Sequence, residues 1–136
     1  MQVANAVYPE GSQAADFFGA AEQGPFVMVN LLKFKEKAEY ADGSDKDLSG
    51  REAYERYGAG VARLISALGG RIRYSGRVTG LMIGQVEDLW DAVALAEYPS
   101  LQAFQAMALS PEYHAIEHHR LAGLAGQLNI RTLPAF

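Results

Sequence analysis

The segment Phe26 to Leu32 is apolar at every position except Asn30. Its apolar residues are consecutive rather than alternate and partly β-branched, which predicts a strand over Pro25–Phe34 covered on both faces. Upstream, Tyr8-Pro9-Glu10-Gly11 is turn chemistry, and Ser12 caps a short helix over about Gln13–Ala21 that Gln23-Gly24-Pro25 brings to an end. Downstream, Lys35–Leu48 is charged and carries the turn signal Asp42-Gly43-Ser44, so it reads as a mobile surface loop. Ser49-Gly50-Arg51-Glu52 then has capping-box spacing. Tyr54, Tyr57, Val61, Leu64, Ile65 and Leu68 follow at helical intervals and form one apolar stripe. Gly69-Gly70 ends that helix, the first glycine suited to a left-handed C-terminal position.

Arg71–Gly84 reads as extended, with Ile72 and Tyr74 alternating with Arg71, Arg73 and Ser75 and with bends at Gly76 and Gly80. Trp90–Tyr98 is a further strand with apolar side chains on both faces. Ser100 starts a helix through Leu101, Phe104 and Met107, and Ser110-Pro111 restarts it. Tyr113, Ile116 and Leu124 continue its apolar face, Gly123 and Gly126 break it, and Gln127–Leu133 is the last strand. After the N-terminal helix the order is strand, helix, strand, strand, helix, strand. This predicts an α+β fold, a ferredoxin-like βαββαβ sandwich with helices on one face of an antiparallel sheet. The whole chain, 1–136, reads as one domain, with 1–23 an N-terminal extension and 24–136 the core.

Two long helices cover only one face of such a sheet. With Val27, Val29, Leu31, Val93 and Leu95 beneath them, Phe26, Met28, Leu32 and Trp90 fall on the opposite face. Leaving those side chains in water forfeits about 1.5–3 kcal/mol each and makes a contiguous sticky patch. A second copy packed sheet to sheet is the economical cover, so a homodimer is expected. The same face then carries Asn30, Asn129 and Arg131, joined by Arg73. Polar groups there must be hydrogen-bonded, and an arginine there wants an anion. Two readings follow: a small pocket for an acidic or carbonyl-bearing molecule, or a structural network with Glu97.

Composition narrows the function classes. A net charge of −4 over 136 residues and a pI near 5.3 oppose a nucleic-acid footprint. With no cysteine, disulfides, thiolate catalysis and thiolate metal sites are excluded. No basic residue followed by an apolar run opens the chain, and no apolar run reaches the ~18 residues of a membrane span, so a cytoplasmic protein is expected. His114-Ala115-Ile116-Glu117-His118-His119 contains H-x-x-E-H, with His114 and His118 one turn apart and Glu117 beside them. A catalytic zinc needs a third ligand, and Arg120–Phe136 contains no Asp, Glu, His or Cys. No metal and no cofactor are therefore expected. One of these histidines remains a candidate general acid or base, while Tyr54 and Tyr57 read as core residues with hydroxyls at the rim.

Val27-Met28-Val29-Asn30-Leu31-Leu32-Lys33-Phe34, Ser49-Gly50-Arg51-Glu52-Ala53-Tyr54, Ala96-Glu97-Tyr98-Pro99-Ser100 with Phe104, and Ser110-Pro111-Glu112-Tyr113 occur in that order. On these motifs the chain resembles the bacterial "domain of unknown function 1330" family over roughly Gly24–Leu133. The resemblance implies a ferredoxin-like subunit of the dimeric α/β-barrel superfamily, which includes cofactor-free monooxygenases, isomerases, haem-dependent enzymes and plain binding proteins. Fold alone does not choose among these. In the implied sheet order the first and third strands are adjacent, so Asn30–Phe34 and Glu97–Ser100 converge. The leading reading is a homodimer with a pocket between sheet and helices for a small acidic or carbonyl metabolite. Asn30 would orient a carbonyl or oxyanion, His114 or His118 would move a proton, and Arg73 or Arg131 would hold a carboxylate. Glu97, Tyr98, Tyr54 and Lys33 complete the candidate site. The rivals are a non-catalytic binding or stress protein and a structural dimerisation module. A histidine sharing one cavity with Asn30 separates the enzyme from them.

Overall fold

In the computed structural model, which describes residues 1–135, the elements are α1 (Gln13–Phe18), β1 (Phe26–Phe34), α2 (Gly50–Ala67), β2 (Arg71–Arg77), β3 (Ala92–Tyr98), α3 (Leu101–Ala108), α4 (Pro111–Gly123) and β4 (Leu124–Thr132). The strands form one antiparallel sheet in the order β2-β3-β1-β4. This is the split βαββαβ arrangement expected from the hydrophobic pattern. β1 is an inner strand, paired with β3 along one side and β4 along the other, which is why it is apolar in every direction but one.

The sheet is turned over relative to the sequence expectation. Phe26, Met28 and Leu32 are only 1, 3 and 2% exposed. Phe26 and Met28 pack beneath the chain's own helices with Tyr57, Val61, Ile65, Leu101 and Met107. By register, Val27, Val29 and Leu31 share the other face with Val93 and Leu95 of β3 and with Leu128 and Ile130 of β4. Among the described residues no helix lies on that face to shelter them, and they stay partly exposed. A strand apolar on both sides gives no period-two signal to say which side meets the helices, and an error of one residue inverts every assignment. Volume makes the choice here. Phe26 and Met28 fill the space between sheet and helices, where β3 contributes the small Ala92, Ala94 and Ala96. Asn30, Asn129 and Arg131 do share a face, as expected from their spacing, but it is the helix-facing one. Trp90 precedes β3 and donates through Nε1 to Asn5 Oδ1 at 2.8 Å.

Local chemistry sets most element boundaries. The Ser49 hydroxyl accepts from the Glu52 amide at 3.1 Å, and Glu52 Oε1 accepts from the Ser49 amide at 3.0 Å, a complete capping box. Gly69 takes φ +91° just beyond α2, and the Gly70 amide returns to the Ile65 carbonyl at 2.9 Å. The N-terminus of α3 is capped by Ser100 and by the Glu22 carboxylate, which accepts from the amides of Leu101 and Gln102. The Leu101 amide is the main reason that Glu22 sits below the usual carboxylate range.

α2 and α4 pack against each other through small residues. A Cβ on Gly123 would overlap the Gly50 carbonyl, one on Gly50 would overlap the Lys35 carbonyl, and Gly60 receives the Ile116 side chain. α4 runs directly into β4 with no loop between them, since Leu124 already has extended dihedrals (φ −91°, ψ 121°). Gly126 thus falls inside the strand rather than marking a break. The Lys35–Leu48 segment is not a free loop. Its Ala38 amide bonds to Leu48 O at 2.8 Å, its Glu39 amide bonds to Ala122 O at 2.9 Å, and Ala38 is buried against Ala53 and Ala122.

The N-terminal residues form a strap across the outer edge of β4. The Ala6 amide donates to Gln127 O at 3.1 Å. Asn5 lies where a side chain on Gly126 would project, on the open side of the sheet, and Val7 lies on the helix side. Among the described residues, no helix is long and apolar enough to cross a membrane. Because the capping box satisfies two otherwise orphaned amides, Ser49→Ala is expected to lower unfolding free energy by about 1 kcal/mol in denaturant melts. An unchanged midpoint would show that the cap contributes nothing.

Candidate functional site

The polar centre of the molecule is a chain of hydrogen bonds running from α4 into the sheet. Arg120, in the last turn of α4, donates through Nη2 to Gln127 Oε1 at 2.8 Å and to the Val7 carbonyl at 2.7 Å. Gln127 Nε2 donates to Asn30 Oδ1 at 2.7 Å, and Asn30 Nδ2 donates to Ala94 O at 3.1 Å across to β3. Gln127 is the one buried polar or charged residue among those described, at 9% exposure. The sheet register explains the meeting. Gln127 pairs with Leu32 and so stands beside Asn30 on the helix face, within reach of α4. Every partner of the part-buried Arg120 is a neutral oxygen. Among the described residues, no carboxylate lies within ion-pair distance of it. A guanidinium withdrawn from water is normally paired with an anion.

Tyrosines gather beside it. Tyr54 and Tyr57 have ring centroids 5.2 Å apart, and the Tyr57 and Tyr113 hydroxyls lie 3.1 Å from each other. Tyr54 is half-buried. Burial pushes this phenol up to about 12, and the nearby Arg120 charge offsets only part of the shift. Burial likewise raises Tyr57, with Tyr113 adding to the effect, and raises Tyr98. At neutral pH these phenols are therefore uncharged hydrogen-bond donors. Tyr98 is packed between Phe26 (5.6 Å) and Phe104 (4.4 Å), with α1 closing that end of the core through Phe17.

The other candidate residues are dispersed. His114 is exposed and pairs with Glu117 through Nδ1 at 3.2 Å. His118 stacks on His119 at 3.9 Å between ring centroids and lies 6.0 Å from the Tyr40 ring. His119 Nδ1 is 2.7 Å from the Tyr40 hydroxyl, and its pKa is lowered by burial and then by the neighbouring His118. The Tyr40 contacts of His118 and His119 lie along the seam between α4 and the Lys35–Leu48 segment. None reaches Asn30, so the structure does not bring a histidine and Asn30 together. Among the described residues, no three His, Cys, Asp or Glu side chains are grouped to hold a metal ion.

Arg73 and Arg71 share Glu97, at 2.8 and 3.2 Å, on the edge of the sheet. This is the structural network that was the alternative reading for Arg73. Arg131 lays its guanidinium 5.1 Å from the Phe17 ring centre. Lys33 is tied to Asp88 at 2.9 Å, to the Leu89 carbonyl at 2.9 Å and to Asp91 at 3.5 Å, and the Asp88 contact is the main cause of its raised pKa. It lines an open groove of about 510 Å³ with Lys35, Arg51, Arg77 and Asp91. Lys33, Lys35 and Arg51 each already have a carboxylate partner there.

Of the candidate set, only Asn30 is a member of this hydrogen-bonded chain; Tyr54 packs beside Phe34 and Tyr57, and the rest lie elsewhere. Arg120 and Gln127 were missed. Arg120 follows the histidine motif directly, and its only sequence signal was a cation in a helical last turn. Gln127 was read merely as the first residue of a strand.

Comparison with known proteins agrees with this geometry at the level of fold. The crystal structure of a protein of unknown function from Rhodopseudomonas palustris is 31% identical, with 98% of this chain and 99% of that one covered and a TM-score of 0.85. The methylated form of that protein is 32% identical, covers 97% and 96% of the two chains, and has a TM-score of 0.87. A dabb family protein with a ferredoxin-like fold from Mesorhizobium loti is 14% identical, with 84% of this chain and 100% of that one covered and a TM-score of 0.52, a likeness of fold alone. A search of curated proteins found no match. The model of the family described as "Domain of unknown function (DUF1330)" matches residues 44–131. With most of its length matched and a near full-length relative above 30% identity, the chain belongs to the DUF1330 family.

Proposed function

We propose that this protein is a homodimeric binding protein for a small carboxylate-bearing metabolite, held between the sheet and the helices at Asn30, Gln127 and Arg120. The observation that carries this reading is a part-buried guanidinium satisfied only by neutral oxygens at the end of a hydrogen-bonded chain. Around it the guanidinium, the amides and the protonated phenols can each donate at neutral pH. A carboxylate supplies the charged acceptor that the neutral partners of Arg120 do not, and a charge-assisted pair with arginine is the strong form of that contact. A binding role is favoured over proton-transfer catalysis by the same chemistry. The histidines face other partners, and the enclosed tyrosines are shifted away from neutrality, so no base poised near pH 7 stands beside Asn30.

The homodimer rests on the open face rather than on Phe26, Met28 and Leu32. Val27, Val29, Leu31, Val93, Leu95, Leu128 and Ile130 share it by register, and Tyr74 beside them is 59% exposed. Covering such a face with its own copy is the simplest closed solution.

Three outcomes are expected. In a thermal-shift panel of small carboxylates, a ligand at about one hundred times its Kd stabilises by about 2.7 kcal/mol, and Arg120→Gln is expected to abolish that shift. A panel in which no carboxylate separates wild type from Arg120→Gln would remove the reading. In light scattering the chain is expected at twice its 14.8 kDa, with Leu95→Asp monomeric; a monomeric wild type removes the dimer. In alkaline solution, tyrosines of the unfolded chain ionise near pH 10.0 while Tyr54 holds its proton to about 12. Its contribution is therefore fully present below pH 10 and lost as the pH rises from there towards 12. Urea melts across that range are expected to show stability falling, less steeply in Tyr54→Phe.

A further inference from the structure

The N-terminal strap ends on the same guanidinium that the proposed ligand requires. Arg120 Nη2 is occupied by the Val7 carbonyl at 2.7 Å, the shortest of its contacts. That carbonyl is an oxygen acceptor delivered from outside the core, at the position where a carboxylate oxygen would pair with Nη2. The strap itself is lightly fastened. Besides the Arg120 bond to Val7, one backbone bond, Ala6 N–H to Gln127 O at 3.1 Å, and one side-chain bond, Trp90 Nε1 to Asn5 Oδ1 at 2.8 Å, hold it across the edge of β4. Residues 1–5 and 8–12 are exposed. The acceptor that Val7 brings is neutral, so an anion of similar reach has the electrostatic advantage over it.

We infer that the strap is a gate: Val7 stands in for the ligand at Arg120, and a small carboxylate enters by displacing residues Asn5–Val7 from the edge of β4. This rests on the carboxylate-binding reading above and adds the route and its regulation. The fastening to Trp90 gives the gate a reporter, since this is the chain's single tryptophan. Displacing the strap frees the indole N–H to water and alters its emission.

The apparent affinity of a gated site is its intrinsic affinity reduced by the fraction of molecules in which the gate is open. Weakening the fastening must therefore tighten binding without touching Arg120. Ala6→Pro in the full-length chain deletes the N–H that bonds Gln127 O. Losing one hydrogen bond of ordinary net strength is expected to raise benzoate affinity by about three- to tenfold. Asn5→Ala releases the Trp90 tether separately and carries the same test should Ala6→Pro fail to fold.

Benzoate binding would be measured by calorimetry, with benzamide as the uncharged control and Trp90 emission followed in parallel. The gate is supported if benzoate shifts the emission of wild type and binds the released variants more tightly. Without ligand, the emission of Ala6→Pro should already move from that of wild type towards that of the benzoate complex. If benzoate binds, Arg120→Gln abolishes binding, and the released variants keep wild-type affinity, the gate is overturned and the binding site stands. If benzoate binds neither wild type nor the released variants, the carboxylate site falls and the gate with it. If benzamide binds as well as benzoate, charge recognition at Arg120 is refuted.

Discussion

The structure depends on one mismatch: an inner strand with two apolar faces and a single layer of helices. β1 is flanked on both sides by other strands, so its side chains have only the two faces of the sheet to enter. The face bearing Phe26 and Met28 receives α2, α3 and α4 and becomes the core. Among the described residues, the face bearing Val27, Val29 and Leu31 receives no helix, only Asn5 of the strap at its β4 edge. On the helix side the large Phe26 and Met28 stand beside the small Ala94 and Ala96 of β3, while Val27, Val29 and Leu31 on the other side stand beside Val93 and Leu95. The two faces thus differ in shape although they scarcely differ in polarity.

Asn30 interrupts the apolar run on the helix side, where a lone amide would be costly. Its cost is removed by a relay. Asn30 is satisfied by Gln127 and Ala94 O, and Gln127 by Arg120. The relay ends at the C-terminal turn of α4, where the guanidinium meets a carbonyl from the N-terminal strap. A polar group in the core is in this way linked, bond by bond, to the one segment that wraps the sheet from outside.

What the sequence made legible was mostly local. The Ser49–Glu52 box, the left-handed Gly69 and the Ser110-Pro111 restart each depend on a few consecutive residues, and each is found where its spacing put it. The two-layer topology followed from the order of those elements. The facing of the sheet was not legible, because the choice between Phe26–Met28 and Val27–Val29 turns on complementarity with helices distant in sequence. Of the hydrogen-bonded chain at the candidate site, only Asn30 was legible. Arg120 and Gln127 are seven residues apart across a junction that Gly123 and Gly126 made look like a break, whereas the chain passes from helix to strand without one. The histidine motif was correctly spaced for one helical face, but the docked Lys35–Leu48 segment supplies that face with Tyr40 instead of a ligand set.

The absence of any connecting loop between α4 and β4 bears on how this molecule can respond to an occupant. Where a helix and the following strand are joined by slack chain, each can adjust its position independently. Here Arg120 and Gln127 are fastened to a stiff elbow at Gly123–Leu124, wedged against Gly50 with no room even for a methyl group. Sliding the helix would drag the strand out of register with β1. The wall that carries Arg120 and Gln127 is therefore fixed in place, whereas the N-terminal strap that meets it is joined by single hydrogen bonds.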